Sequence, residues 1–272
     1  MTLVTVNGIQ LNILDTGAPA SKPDAPVVVM GHGLLFGTSM WRHQIEALRE
    51  DYRCVAVDWR GQGETPATES GYDMDTLYAD LVALIEHLDV GPVHYAGLSM
   101  GGFVGQRLAA RRPDLVRSLV LIDTSAGPED PDKVKRYRLM STVYGLLGFR
   151  PLRSQVSPIM FTPAWLKTPA GKESERTWIS ELVTQDRTGV KLAIRGVVDR
   201  LPVTEEIVAI KAPTLVIVGS DDVATPVAKA EAIARAIPDS RLDILTGVGH
   251  VSTLEDPDRI SELMREFLAA QS

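Results

Sequence analysis

The sequence predicts an α/β protein: a mostly parallel, doubly wound sheet of about eight strands with an inserted α-helical cap. Three observations predict it. Short continuous apolar runs such as Val27-Val28-Val29-Met30 read as strands covered on both faces, the habit of parallel sheets. These runs alternate with segments whose apolar residues recur at helical spacing, which implies right-handed β-α-β crossovers. The alternation stops once, between Asp123 and Thr214, where only helix-like segments appear. Residues 1–124 and 212–272 therefore form the expected core, and 125–211 the cap.

Each element has its own signal. Residues 3–6 and 9–15 alternate apolar and polar around Asn7-Gly8, a hairpin signature. Strands are expected at 27–30, 53–57, 93–97, 116–122, 214–218 and 241–245. Core helices are expected at 39–49, 75–88, 100–111, 227–236 and 258–270. In the second of these, Leu77, Leu81, Leu84, Ile85 and Leu88 share one stripe. The insertion carries helical spacing over 131–147, 172–185 and 188–199, with prolines at 151, 158, 163 and 169 breaking the rest into short pieces.

The totals narrow the function classes. The chain has 272 residues, enough for one large domain with a sizeable core. Hydrophobic residues make up 44% and charged residues 23%, which excludes a disordered chain. The net charge of −7 disfavours nucleic acid as a partner. The basic cluster Lys133, Lys135, Arg136 and Arg138 reads as a solvated helix face. One cysteine, Cys54, allows no internal disulfide and reads as a small core residue. No basic leader and no run of about 20 apolar residues is present, so a cytoplasmic protein without a membrane span is expected. No His/Cys/carboxylate cluster at ligand spacing suggests a metal, and no phosphate-cradling glycine loop suggests a nucleotide, so no cofactor is expected.

The sharpest chemical signal is Gly97-Leu98-Ser99-Met100-Gly101-Gly102, which follows an apolar strand and opens a helix. A G-x-S-x-G at such a turn holds the serine on a strained bend above the sheet edge. Ser99 is the expected nucleophile, and the Met100 amide at the helix N-terminus an expected oxyanion donor. A serine needs a base. Of the five histidines, His250 lies after the last strand, on the same sheet edge. His43 reads as a packing residue, His87 and His94 as surface residues, and His32 as a brace for its glycine-rich loop. The imidazole needs a carboxylate. The strand at 214–218 ends in Gly219-Ser220-Asp221-Asp222; Asp222 is preferred, Asp221 reads as a turn cap, and Asp123 is a third candidate at a strand end. The second oxyanion donor falls to the Leu34 amide in Gly31-His32-Gly33-Leu34-Leu35.

Together His32-Gly33, 58–63, 97–102, Gly219–Asp222 and Gly249-His250 resemble the α/β-hydrolase superfamily, in the branch with a helical cap after the sixth strand. The chain order Ser99, Asp222, His250 is that of these hydrolases. The resemblance implies that Asp58-Trp59-Arg60-Gly61-Gln62-Gly63 is a structural turn. Ser99 at the elbow departs from the aspartate of haloalkane dehalogenases and epoxide hydrolases. His32-Gly33-Leu34-Leu35-Phe36 departs from proline iminopeptidases, and Val251 from meta-cleavage C–C hydrolases. Residues 249–255 look closer to 3-oxoadipate enol-lactonases and related carboxylesterases.

The resulting expectation is a carboxylesterase for small-to-medium, mainly apolar esters, acting as a monomer or homodimer on a small-molecule ester or lactone. The cap is rich in Met140, Tyr144, Leu147, Phe149, Met160, Phe161, Trp165 and Trp178. Most of these would pack cap on core; candidate pocket residues are Leu35, Phe36, Met140, Met160, Phe161, Trp165, Trp178, Val223 and Val251. No charged anchor is expected near Ser99, with Arg195 and Arg200 reading as solvated or ion-paired. Lactonase chemistry (acyl-homoserine or enol lactones), C–C hydrolysis, cofactor-free perhydrolysis and a ligand receptor on the same fold are the alternatives.

Overall fold

The computed structural model describes residues 2–271. It begins with β1 (Thr2–Val6), β2 (Ile9–Asp15), β3 (Val27–Gly31), α1 (Arg42–Leu48), β4 (Arg53–Val57) and α2 (Met74–Leu88). It continues through β5 (Val93–Leu98), α3 (Met100–Arg111) and β6 (Val116–Ile122). The helices α4 (Pro131–Leu147), α5 (Arg153–Met160), α6 (Pro169–Leu182) and α7 (Arg187–Val198) follow without a strand. The core resumes with β7 (Thr214–Gly219), α8 (Val227–Ala236), β8 (Ser240–Leu245), α9 (Ser252–Glu255) and α10 (Pro257–Ala269).

The eight strands form one sheet in the order β1-β2-β4-β3-β5-β6-β7-β8. β1 and β2 pair antiparallel across Asn7 (φ 47°) and Gly8 (φ 75°), the two left-handed residues that a two-residue hairpin turn demands. β2 is also antiparallel to β4, and every later pairing is parallel. Inner strands are buried on both faces, yet their side chains still divide with period two. Val28 and Met30 join one core with Cys54 and Ala56, while Val27 and Val29 join the other with Val55 and Val57. One core lies under α1, α10 and the insertion, the other under α2, α3 and α8.

The winding direction reverses at β3, which pairs with β4 on one side and β5 on the other. At such a switch point the loops leaving the strand ends diverge and open a crevice. Gly31 and Gly97 are register partners at this point, so the loop after β3 and the turn after β5 stand side by side.

The expected helix at 39–49 is shorter than its pattern: 38–41 forms a 3₁₀ turn ahead of α1. α5 and α9 were not anticipated. α5 contains Pro158, but Leu152, Val156, Ile159 and Met160 follow helical spacing through it. Two histidines differ from expectation. His94 is fully buried in β5 with Nδ1 2.7 Å from Ser118 Oγ, and burial pushes its pKa down to about 4. His43 lies exposed rather than packed, because α1 turns it towards solvent beside α10.

The insertion is fastened to the core at several points. Trp178 Nε1 donates to the Leu35 carbonyl at 2.9 Å, and its ring stacks on Phe36 at 5.3 Å. Glu255 accepts from the Thr162 amide and hydroxyl, and the Val251 amide donates to the Met160 carbonyl. Gly61 and Gly189 let α7 approach the 58–63 turn, where a Cβ on either would lie under 3 Å from the other's backbone. Among the described residues, no helix is long and apolar enough to cross a membrane.

Candidate active site

Ser99 sits between β5 and α3 at φ 51° and ψ −109°, a conformation that non-glycine residues rarely adopt. The neighbours impose it. The Ser99 amide donates to the Ile122 carbonyl, and its own carbonyl accepts from Thr124 Oγ1 and the Phe103 amide. Strand and helix approach closely because two positions lack side chains. A Cβ on Gly97 would meet the Gly101 carbonyl at 2.4 Å, and one on Gly101 would meet the Gly31 oxygen at 2.0 Å. The serine hydroxyl is thereby lifted above the C-terminal sheet edge at the switch point.

β7 and β8 end beside it. His250 Nε2 lies 3.0 Å from Ser99 Oγ, and Nδ1 lies 2.9 Å from Asp222 Oδ2. A carboxylate accepts from Nδ1–H, which leaves Nε2 as the lone pair facing the serine. Asp222 is itself held by the Ala224 and Thr225 amides on Oδ1 and the Thr225 hydroxyl on Oδ2. Burial opposes its charge, but His250 and the Thr225 donors outweigh burial and keep its carboxyl below the usual range. Burial likewise pulls His250 down, yet Asp222 dominates and raises it above its ordinary 6.5, with Asp123 and Glu129 adding to the effect.

The other two carboxylates of the expected set lie elsewhere. Asp221 accepts from Ser220 Oγ at the surface, outside hydrogen-bonding reach of the imidazole. Asp123 is fully buried behind the pair, accepting from the Gly219 amide at 2.9 Å and meeting Ser252 Oγ at 2.5 Å. Burial first, and the Asp222 charge second, push its pKa up to about 8. It ties the ends of β6 and β7 to α9, behind the loop that carries His250.

The loop after β3 is equally fixed. Burial holds His32 below its ordinary pKa; Nδ1 lies 2.7 Å from the Gly33 carbonyl and Nε2 accepts from the Trp59 amide. Both contacts suit one neutral tautomer, so His32 braces the loop. Gln62 Oε1 accepts from the Leu35 amide, and Leu35 takes φ 70°. Asp58 accepts from the Thr38 and Glu64 amides. The 58–63 turn thus shapes this loop rather than touching the serine. The Leu34 and Met100 amides donate to no protein acceptor among the described residues.

A cavity of about 110 Å³ opens on Ser99 and His250. Of the expected pocket residues, Leu35, Phe36, Met140, Met160 and Val251 line it, together with Leu34. Phe161, Trp165, Trp178 and Val223 do not. Phe161 and Trp178 are buried with Phe36 in an aromatic cluster, with ring centroids 5.3 to 6.3 Å apart, that joins insertion to core. Trp165 stacks on Phe161 from outside, and Val223 is exposed where its loop turns to solvent. Leu147 also faces solvent. In their place come Tyr144, Phe149, Leu152, Val156, Ile159 and Ile194. The i, i+4, i+7 spacing of Leu152, Val156 and Ile159 was the available signal for α5. Glu129 and Arg200 line the cavity too; Arg200 is ion-paired with Glu129, one of the two readings given for it, whereas Arg195 is exposed.

A serine on a strained strand-to-helix elbow, joined through an imidazole to a buried carboxylate at the switch point of a doubly wound sheet, defines a class of hydrolytic proteins. The chain belongs to the α/β-hydrolase family, whose model for the alpha/beta hydrolase fold matches residues 26–257. It is similar to a solved thermophilic esterase from Thermogutta terrifontis, in a malate-bound form, with a TM-score of 0.90 and 28% identity over 100% of this chain and 99% of that one. It is similar to the enol-lactonase from Burkholderia xenovorans LB400, with a TM-score of 0.90 and 27% identity over 98% of this chain and 100% of that one. A relative from Stutzerimonas stutzeri with the provisional name carbamate hydrolase RutD is 26% identical, covering 92% of this chain and 94% of its own.

Proposed function

We propose that this chain is a carboxylic-ester hydrolase that works through an acyl-enzyme on Ser99. The observation that carries the reading is the continuous relay from Ser99 Oγ through His250 to Asp222, at 3.0 and 2.9 Å, opening into an apolar cavity under the α4–α7 cap. Ser99 Oγ bonds to the ester carbon while its proton passes to His250 Nε2. The carbonyl oxygen becomes an oxyanion held by the Leu34 and Met100 amides, which have no protein acceptor among the described residues and so need no rearrangement. Collapse breaks the bond to the leaving alcohol, which takes the proton from His250. Water then attacks the acyl carbon and gives its proton to His250, and Ser99 Oγ recovers it as the acid leaves. The protein acts without a cofactor, on a small-molecule substrate.

The cavity is small and mostly apolar, so short-to-medium acyl groups fit it. With p-nitrophenyl esters, each methylene buried should raise kcat/KM about fourfold, the equivalent of about 0.8 kcal/mol. Rates should fall once the chain meets the Tyr144, Phe149 and Leu152 wall. A series that keeps rising to long chains, or no turnover of any ester, would overturn this reading. A lactone is the second reading, supported by the full-length similarity to an enol-lactonase. It uses the same steps with the leaving alcohol tethered, and lactone turnover exceeding all open esters would favour it.

The base must be neutral to act, so the raised pKa of His250 sets the pH profile. Activity should be full above that pKa and lost as pH falls through it, with the acid limb of kcat/KM centred above the ordinary histidine value of 6.5. A midpoint below that value would contradict the upward shift, and a flat profile across about pH 5 to 9 would contradict His250 as base.

A further inference from the structure

The apolar cavity contains one ion pair outside the serine relay. Arg200 Nη1 lies 2.9 Å from Glu129 Oε2, and their side chains are only 2% and 9% exposed. The guanidinium is closely held. Nε donates to the Gly127 carbonyl, Nη1 also to the Val197 carbonyl, and Nη2 reaches Ser125 Oγ at 3.4 Å. Its Cζ stands 4.3 Å over the Phe103 ring. Phe103 is one turn of α3 beyond Ser99 and also lines the cavity, and the Glu129 charge reaches His250, whose pKa it helps to raise. Glu129 and Arg200 both line the same cavity as Ser99 and His250.

A buried guanidinium facing a substrate cavity would attract a carboxylate. Here Glu129 already neutralises it. An anionic substrate would meet a dipole rather than a cation, and would face the Glu129 carboxylate at close range.

Resting on the ester-hydrolase reading, we infer that Glu129 sets the charge selectivity of the cavity by masking Arg200. The native site accepts neutral esters and rejects carboxylate-bearing ones. Loss of the Glu129 charge turns Arg200 into an anchor for anionic esters. Glu129 and Arg200 are specificity residues in this scheme and take no part in the bond-breaking steps.

The test compares p-nitrophenyl butyrate with the p-nitrophenyl monoester of succinic acid, nearly equal in length and different in charge. The wild-type protein should prefer the butyrate by at least about tenfold in kcat/KM, since like charges set side by side are strongly disfavoured. Glu129→Gln should shift the anionic-to-neutral ratio upward by at least about tenfold, mainly through KM, and added salt should weaken the gain. Glu129→Gln combined with Arg200→Gln, two neutral amides in place of the pair, should lose the gain. Should Glu129→Gln fail to fold by circular dichroism, Arg200→Gln carries the opposite expectation, because it leaves Glu129 unmasked and should lower the ratio below wild type. A ratio unchanged within about twofold in a folded single variant would overturn the inference. Turnover of neither ester by the wild-type protein would instead remove the ester-hydrolase reading on which it rests.

Discussion

Ser99→Ala is expected to lower kcat by about 10⁶, because losing the nucleophile of such a relay costs nearly as much as losing the whole relay. No acyl-enzyme can form, and His250 then faces a methyl group in place of the hydroxyl 3.0 Å away. The fold should survive, since the backbone bonds of residue 99 to Ile122 and Phe103 do not involve its side chain. A fluorophosphonate probe should label the wild-type protein at Ser99 and leave the variant unlabelled. Persistent labelling would mean that another hydroxyl is the nucleophile. The elbow adds a second readout. At φ 51° a side chain stores strain, so Ser99→Gly should be more stable than Ser99→Ala by about 1 kcal/mol in urea unfolding, while equally inactive. Equal stabilities would mean that the turn is unstrained.

Asp222→Asn should lower kcat by about 10⁴ with little change in KM. The amide nitrogen of asparagine can oppose His250 Nδ1–H, so the ring is driven to the tautomer whose Nε2 carries the proton and cannot accept one from Ser99. The same substitution separates the neighbouring carboxylates. Asp221→Asn should have little effect, because that side chain is exposed and accepts from Ser220 rather than from His250. Asp123→Ala should act mainly on stability, costing about 1–3 kcal/mol by leaving the buried Gly219 amide and Ser252 hydroxyl without their acceptor. A loss of kcat from Asp123→Asn as large as from Asp222→Asn would transfer the acid's role to the end of β6.

The fold was readable because its signals are local. Buried strands such as 27–30 and 214–218 need unbroken apolar runs, and the Asn7-Gly8 turn needs residues that tolerate positive φ. The helices expected at 100–111 and 131–147 have the ends that the sequence reading gave them. Where a signal was interrupted, the reading lapsed. Pro158 hid α5, although its apolar spacing continues past the proline. His94 looked like a polar residue at a strand start, yet the register of β5 places it inside, against Ser118 of the neighbouring strand.

The site divides in the same way. Ser99, Asp222 and His250 could be picked out because each is tied to a strand end by a short motif, and parallel strands bring their C-terminal ends to one edge. The choice of Asp222 over Asp221 and Asp123 lies in which carboxylate reaches the imidazole, and that is a distance of 2.9 Å made by the β7 loop. The cavity wall was least readable. Large aromatic residues suggested a pocket, but Phe161 and Trp178 stack on Phe36 and became the joint between insertion and core, leaving the wall to Tyr144, Phe149 and α5.

By itself, then, the sequence determined the sheet, its winding and the strand-end motifs that carry Ser99, Asp222 and His250, because periodicity and turn chemistry act between residues close in the chain. Only the tertiary structure decided which side chains face the cavity and that Arg200 is held by Glu129, 71 residues away in the chain, beside Phe103. Those contacts depend on how the helices α4 to α7 rotate and seat on the sheet. Many apolar side chains satisfy burial equally well on either side of a helix packed between insertion and core, so composition and spacing leave that choice open.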